Sequence, residues 1–179
     1  TWGRLDPVRL RSTIRAVFSD RQGRNGQDPA WRNGQSAKEA YCTMQDRPVP
    51  GIFAVGDTST PYRFEDSCQS NAEIATYVHD GLAHGFRPWM TKVKVEVFDK
   101  RWVPEVERIY AWHARNEAYF RNTENLAQIA MVQSDQTATY YVPPTPQASS
   151  VREVVPEAAQ PRVGNNDYVR GFYQSLVES

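Results

Sequence analysis

The chain has 179 residues, and its 21 Lys and Arg balance 21 Asp and Glu, so its formal net charge at pH 7 is zero. That length suits one compact domain, or one domain and part of a second, and the balanced charge predicts no general attraction to nucleic acid or to an anionic membrane. No apolar run approaches the roughly 20 residues that a membrane span requires.

The amino-terminal residues do not indicate the cellular compartment of the protein. The first residues, TWGRLDPVRL, show no signal-peptide pattern. They also lack an initiator methionine, so we expect the chain to begin inside a longer protein. The compartment therefore stays undetermined.

The first 55 residues predict two helices and two buried strands in alternation. A short helix begins near Asp6-Pro7 and reaches about Ile14, and a strand follows over 16–19. A polar loop rich in Gly and Asn then leads to a helix over 35–44. Pro48 and Pro50 end that helix, because proline removes a backbone donor, and a second buried strand follows over 51–55.

The stretch from Pro61 to Trp89 carries the clearest helix signal. Ser70 can cap a first turn, with Glu73 reaching back to it as a capping box. The apolar face of this helix has a period of 3.6 residues and consists of Ile74, Tyr77, Val78 and Leu82. Gly85 ends the helix where a left-handed residue is favoured, and a third strand is predicted over 86–92.

The second half of the chain predicts a long helix, a fourth strand and a final helix. Pro104 is placed as a first helical residue, and the helix reaches about Arg121. Its apolar face consists of Val106, Ile109, Tyr110, His113 and Phe120. A fourth apolar strand is predicted over 126–132. A proline-rich insertion without a core of its own occupies 143–164. Asn166 then caps a last helix with Val169, Phe172, Tyr173, Leu176 and Val177 on its apolar side.

This alternation of strands and helices predicts a parallel sheet with crossover helices. Four strands are too few for an eight-stranded barrel, which takes about 250 residues. The pattern is compatible with a small open α/β sheet or with the closing part of a barrel. For a barrel part, the outer flank of the 16–19 strand should be open or covered by another chain.

The loops that follow the predicted strands hold the candidate site, because parallel α/β folds place their chemistry there. These loops carry Asp20 and Arg21, then Asp57 with Arg63, Glu65 and Asp66, then Trp89 and Lys92, then Asp135. Carboxylates, arginines and aromatic faces together suit a polyhydroxylated ligand. The competing interpretation is that each carboxylate is a solvated charge, a helix cap or half of an ion pair.

Other chemistries lack their sequence signatures. His79, His84 and His113 show no metal-ligand spacing, so we expect no metal ion, and no glycine pattern indicates a nucleotide or another cofactor. His84 ends a helix, and His113 is expected to be a satisfied interior residue. Cys42 and Cys68 have no evident histidine partner, and we interpret both as structural.

Several ordered motifs resemble one known family. They are FSDRQGR at 18–24, WRNGQ at 31–35, YRFEDS at 62–67, DGLAHGFRPW at 80–89, RIYAWH at 108–113, RNE at 115–117 and RN at 121–122. Together they are similar to hypothetical glycosyl hydrolases related to bacterial β-galactosidases that carry a trimerisation domain. The resemblance covers about residues 15–142 and resumes over 168–178.

The resemblance implies a particular domain organisation. Residues 1–122 would be the last three βα units of a (β/α)8 TIM barrel, strands six to eight, and residues 123–179 would begin a flavodoxin-like α/β trimerisation domain interrupted by the proline-rich insertion. Other segments or chains would complete the barrel, and the protein would be a homo-oligomer, a trimer by resemblance. No nucleic acid or membrane partner is implied.

The resemblance also implies a glycoside hydrolase that acts on a terminal sugar of an oligosaccharide. The family's acid/base glutamate follows strand four, which this chain lacks. Its nucleophile is a glutamate ending strand seven, where this chain has an aspartate, Asp57. We therefore predict Asp57 as the nucleophile and Asp66 as the fallback, with Glu65 pointing away.

The predicted carbohydrate-binding residues are Asp20, Arg21, Trp31, Arg63, Trp89 and Lys92. Trp89 would offer an apolar face to a sugar ring, and the basic residues would bind hydroxyls. Two alternatives stay open. Arg63 and Asp66 can form an ion pair that only stabilises their loop, and the chain as a whole can be a non-catalytic carbohydrate-binding or assembly module derived from such a barrel.

Overall fold

The computed structural model of the chain describes residues 7–24, 28–45, 47–56, 67–92, 98–132 and 165–178. The chain divides into two compact units, Thr1–Leu126 and Ala127–Ser179. The elements of the first unit are α1 (Pro7–Thr13), α2 (Arg32–Met44), β1 (Pro50–Ala54), α3 (Asn71–Ala83), β2 (Arg87–Thr91), α4 (Val103–Asn116) and a 3₁₀ turn (Glu117–Phe120). The second unit holds α5 (Asn165–Val177). None of the helices within the described ranges is both long and apolar enough to cross a membrane.

The sheet is small and parallel. Strand β1 pairs with β2 in a register that sets Ile52 opposite Trp89 and Phe53 opposite Met90. On the other side of β1, Ser19 forms an isolated parallel bridge with Gly51. The protein is thus a mixed α/β structure, and the parallel direction predicted for its first three strands is confirmed.

The predicted strand over 16–19 is reduced to that one bridge. The Ser19 amide donates to the Pro50 carbonyl at 2.9 Å, and the Ile52 amide donates to the Ser19 carbonyl at 3.0 Å. The regular ladder of hydrogen bonds stops after this pair, because the Ala54 amide donates to the Gln22 carbonyl rather than to that of Arg21.

The predicted strand over 126–132 is wrong. Leu126 and Val132 are 89% and 95% exposed, and the segment has no regular secondary structure. A strand needs a neighbouring ladder, and no described strand pairs with this segment. The Tyr110 hydroxyl of α4 donates to the Pro88 carbonyl at 3.2 Å and accepts from the Met90 amide at 3.1 Å.

One face of the sheet packs against the helices. Phe53 and Val55 join the main core cluster, whose other members come from α3 and α4 and are Ile74, Tyr77, Val78, Leu82, Val106 and Ile109. All four residues predicted as the apolar face of α3 are buried, which confirms that prediction. A second cluster joins α2 to the sheet through Ala37, Ala40, Met44, Val49 and Phe86.

The other face of the sheet carries aromatic side chains that stay exposed. Ile52 and Trp89 lie opposite each other on this face, since neighbouring positions of a strand alternate between faces. Trp89 is 49% exposed and Phe18 is 43% exposed. The ring centroids of Phe18 and Trp89 are 4.2 Å apart at an interplanar angle of 81°. We call Phe18, Ile52 and Trp89 the open face.

Helices α2 and α3 cross at two glycines. A Cβ atom at Gly81 would lie 2.5 Å from Asn33 Nδ2, and one at Gly34 would lie 2.5 Å from Asp80 Oδ1. Asn33 Nδ2 donates to the Tyr77 carbonyl at 2.7 Å, so the amide group that faces Gly81 is itself held in place. Glycine at both positions therefore allows a backbone approach that a side chain would prevent.

A carboxylate of α3 caps the amino terminus of α2. Trp31, at the N-cap position, makes no side-chain cap. Instead, Asp80 Oδ2 accepts from the Gly34 amide at 2.5 Å, which satisfies one of the helix's unpaired donors. Burial raises the pKa of Asp80, and the amides of Gly34 and Asn33 oppose that rise by stabilising the charged form.

The ends of α3 follow the sequence prediction closely. Ser70 Oγ accepts from the Glu73 amide at 3.1 Å. Gly85 has a φ of +102°, which L side chains rarely adopt, so glycine is needed where the chain turns into β2. The reciprocal half of the capping box does not form, because the Glu73 carboxylate binds Arg24 instead.

Other helix boundaries differ from the predictions by a few residues. Helix α2 begins at Arg32, before the predicted Gln35, because the capping group comes from α3 and leaves no local sequence signal. Helix α4 ends at Asn116 and continues as the 3₁₀ turn. In α5, Tyr173 is 7% exposed, whereas Phe172 and Val177, predicted on the same apolar side, are exposed.

Two histidines pack in the aromatic contact between α3 and α4. The His79 ring lies 5.0 Å from Trp112, and the His113 ring stacks on Phe120 at 5.3 Å. Within the described part of the chain, the buried Nε2 atoms of both histidines lack a hydrogen-bond partner. His113, predicted as an interior residue, is half-buried, and its ring stacks on Phe120.

Replacing Gly81 with alanine should destabilise the protein by about 2 kcal/mol, since the new methyl group must displace Asn33 or separate the helices. Urea denaturation followed by circular dichroism measures this change. Gly171→Ala in α5 is the matched control. Its Cβ meets nothing within 4 Å, so it should be neutral or stabilising by up to about 1 kcal/mol. Equal stability of Gly81→Ala and wild type would contradict the close crossing.

Acid should weaken the contact between α3 and α4. Burial lowers the pKa of His79 below its ordinary 6.5, Arg108 lowers it further, and Glu105 partly opposes the shift. The unfolded chain then binds more protons, so stability is full above pH 6.5 and falls as the pH drops below it. Urea midpoints measured between pH 7 and pH 5 should decrease less steeply for His79→Gln than for wild type, and parallel curves would contradict this origin.

Candidate functional site

The candidate site lies where the parallel strands end. Ser19, β1 and β2 run in the same direction, so their carboxyl ends share one edge of the sheet. We call this the carboxyl edge. The residues that follow the three strands there are Asp20 to Arg24, Val55 and Gly56, and Lys92.

The chain bulges by one residue as it leaves Ser19. In a regular parallel ladder the Ala54 amide would donate to the Arg21 carbonyl, two residues after Ser19. It donates to the Gln22 carbonyl instead, at 2.6 Å. The Arg21 carbonyl accepts a hydrogen bond from the Tyr77 hydroxyl of α3. One extra residue is thus accommodated, a device that is common beside functional sites.

An ion-pair network attaches the bulged loop to α3. Arg24 Nε donates to Glu73 at 2.6 Å, and its Nη2 binds the other oxygen of the same carboxylate. Arg24 also donates to the Asp28 carbonyl at 2.9 Å, and Arg21 Nη1 lies 3.6 Å from the Asp28 carboxylate. The hydrogen bond to Glu73 raises the pKa of Arg24, so this guanidinium stays charged.

Gln69 attaches the end of β1 to the start of α3. Its amide donates to the Val55 carbonyl at 2.8 Å, and its side-chain Nε2 donates to the Gly56 carbonyl at 2.5 Å. Gly56 and Gln69 are therefore both at the carboxyl edge.

Beyond β2 the edge is cationic. Hydrogen bonds from Arg101 lower the pKa of Asp99 to about 2, and Lys92, which follows β2, contributes to that lowering. Burial raises the pKa of the Cys68 thiol, which argues against a reactive thiolate. Cys68 and Cys42 are both free thiols.

The predicted site residues have different positions. Asp20, Arg21 and Lys92 lie at the carboxyl edge, and Trp89 lies on the open face two residues before β2 ends. Trp31 is half-buried at the start of α2. Asp57, Arg63, Glu65 and Asp66, with the Arg63–Asp66 ion pair, lie outside the described residues, as does Asp135.

Sequence reasoning missed three residues that organise this edge. The sequence predicts Arg24 only as part of a polar loop and Glu73 only as a cap. It predicts Tyr77 as a core residue, but a buried tyrosine hydroxyl needs a hydrogen-bond partner, and that requirement is a usable signal. Their partners are 49 and 56 positions away, so no local pattern could name them.

The described part of the edge offers cations and an aromatic face. Its carboxylates at Asp28 and Glu73 are paired with arginines, and Asp20 accepts from Gln22 Nε2 at 2.9 Å. Over the ranges that the structure describes, no group of three or more His, Cys, Asp or Glu is placed to hold a metal ion.

Comparison with known proteins adds no relative. The chain matches no protein-family description, no curated protein and no solved structure.

Replacing Glu73 with glutamine should loosen the bulged loop, because Arg24 loses a charged partner at two atoms. The expected loss of stability is about 1.5 kcal/mol, with faster tryptic cleavage after Arg21 and Arg24. Glu117→Gln is the control, because its pair with Arg121 is half-exposed or more and should contribute less than about 0.5 kcal/mol. Equal losses in the two variants would show that the Arg24–Glu73 pair does not organise the loop.

Proposed function

We propose that this chain is part of a β-galactosidase-like glycoside hydrolase acting on a terminal sugar of an oligosaccharide. The observation that carries the proposal is Trp89, half-exposed on the open face beside Phe18. An aromatic ring that stays exposed in this way offers a platform for the apolar face of a sugar. Asp20, Arg21 and Lys92 at the neighbouring carboxyl edge supply hydrogen-bonding groups for its hydroxyls.

The arrangement of helices supports an origin in a (β/α)8 barrel. Consecutive parallel segments are neighbours in the order Ser19, β1, β2, and α2 and α3 pack on the same side of them. In such a barrel every helix lies outside and the opposite face points to the interior. The open face then corresponds to the barrel interior, and its end at the carboxyl edge, near Trp89, to the face of the barrel where such enzymes bind substrate. Other segments or chains complete the barrel, in an assembly that we propose to be a trimer.

The catalytic part of the proposal uses a residue adjacent to the described edge. Asp57 follows Gly56 in the sequence, and the Gly56 carbonyl is held by Gln69. We assign Asp57 the role of nucleophile and Asp66 that of fallback. Glycoside hydrolysis needs a pair of carboxylates, and we propose that the acid/base carboxylate comes from outside this chain, because the family that the motifs resemble places it after strand four, which this chain lacks.

A second candidate, a non-catalytic carbohydrate-binding module, is favoured by the pairing of the described carboxylates. Asp28 and Glu73 are engaged by Arg21 and Arg24, so they serve to hold the loop rather than to transfer protons. A barrel part that kept its aromatic face and lost its chemistry would show this arrangement.

Galactose and lactose binding, measured by isothermal titration calorimetry, tests the sugar site that both candidates share. Trp89→Ala should weaken binding at least about tenfold, which corresponds to about 1.4 kcal/mol, and Trp89→Phe should recover part of it. Tyr119→Ala is the control, because Tyr119 is a 78% exposed aromatic residue in the 3₁₀ turn. A wild-type protein that binds neither sugar contradicts both candidates.

Hydrolysis of aryl β-galactosides by the full-length protein, in which the proposed acid/base carboxylate is supplied, separates the hydrolase from the binding module. Turnover that Asp57→Asn abolishes, with the fold intact, supports the hydrolase and its nucleophile. Turnover abolished only by Asp66→Asn moves that role to Asp66. Sugar binding without turnover in the wild type supports the binding module and overturns the hydrolase.

A further inference from the structure

We propose that Tyr77 is a positioning residue for the sugar site: its hydroxyl holds the one-residue bulge that brings Arg21 to the carboxyl edge. This inference rests on the proposed function, since it concerns the same site. Tyr77 is a buried residue of α3 and is not one of the residues proposed to bind the sugar.

The ladder shows what the bulge changes. Ser19 pairs with Gly51, so regular pairing would set Arg21 opposite Phe53, and paired side chains of neighbouring strands share a face. Phe53 is 2% exposed in the core under α3 and α4. Without the bulge, the guanidinium of Arg21 would be directed toward this core, where an unpaired charge is costly. With it, Gln22 takes the paired position.

The Arg21 side chain lies near Asp28 but remains partly exposed to solvent. Its side chain is 34% exposed, and its Nη1 lies 3.6 Å from the Asp28 carboxylate, which is 9% exposed. Phe18 and Asp20 flank Ser19, so they leave the strand on the same face, about 7 Å apart. Asp20 therefore lies on the face of Phe18 and Trp89, and Arg21 follows it in the bulge at the carboxyl edge.

Tyr77 is suited to this role because its ring and its hydroxyl do different things. The ring is part of the core cluster and is 2% exposed. The hydroxyl donates to the Arg21 carbonyl. Burial raises the pKa of Tyr77, which keeps the hydroxyl protonated and able to donate. Tyr77→Phe therefore removes the hydrogen bond while keeping the packing.

The test measures galactose binding and amide exchange in Tyr77→Phe, Arg21→Ala and the double variant. Tyr77→Phe should weaken galactose binding about tenfold. That is the effect expected when the sugar loses its hydrogen bond to the charged guanidinium of the displaced Arg21. In the Arg21→Ala background the same change should have no further effect, because residues that act through each other are not additive. A merely structural role would lower affinity equally in both backgrounds.

Amide exchange reports on the bulge without any ligand. The Ala54 amide, bonded to Gln22, should exchange at least about tenfold faster in Tyr77→Phe, whereas the Ile52 amide, bonded to Ser19, should be unchanged. Tyr119→Phe is the matched loss of a hydroxyl, on a 78% exposed residue, and should alter neither binding nor exchange.

The failures are distinguishable. Faster Ala54 exchange with wild-type galactose affinity overturns the positioning role, and unchanged exchange overturns the bulge mechanism. Additive losses in the double variant overturn the route through Arg21. A wild-type protein that does not bind galactose overturns the proposed function, and the Ala54 exchange still decides whether Tyr77 holds the bulge.

Discussion

The close crossing of α2 and α3 is the contact on which the rest of this structure depends. A parallel pair of five-residue strands has no hairpin to hold it, so its crossover helices must pack against one side and against each other. Gly34 and Gly81 permit that approach, and Asp80 caps α2 across it. Two effects oppose each other in this cap. Burial disfavours the charged form of Asp80, whereas the hydrogen bonds from the α2 amides favour it.

Helix α3 connects its crossing with α2 to the candidate site. Along one helix, Glu73 binds the loop arginine, Tyr77 binds the loop backbone, and Asp80 binds α2. These contacts are spaced by four and three residues, so they lie along one side of the helix. The same element therefore completes the core and shapes the carboxyl edge, and a change in its packing should be felt in the loop after Ser19.

Local patterns predicted the helices and failed for the outer strands, for a physical reason. A helix satisfies its own backbone, so the period of its apolar residues and its end residues suffice, as Ser70 and Gly85 show for α3. A strand depends on its neighbour. Leu126 and Val132 are as apolar as the residues of β1, but no described strand pairs with their segment, and both side chains stay exposed.

The sequence by itself determined the mixed α/β class, the parallel direction of the first segments, the ends of α3 and the collection of Asp20, Arg21 and Lys92 after strand ends. These follow from periodicity, capping and the direction of consecutive βα units. Only the tertiary structure decided the bulge, the Arg24–Glu73 pair and the exposure of Trp89. Each of these depends on a partner dozens of residues away. The sequence pattern of one helix or one strand does not indicate which distant side chain it will contact.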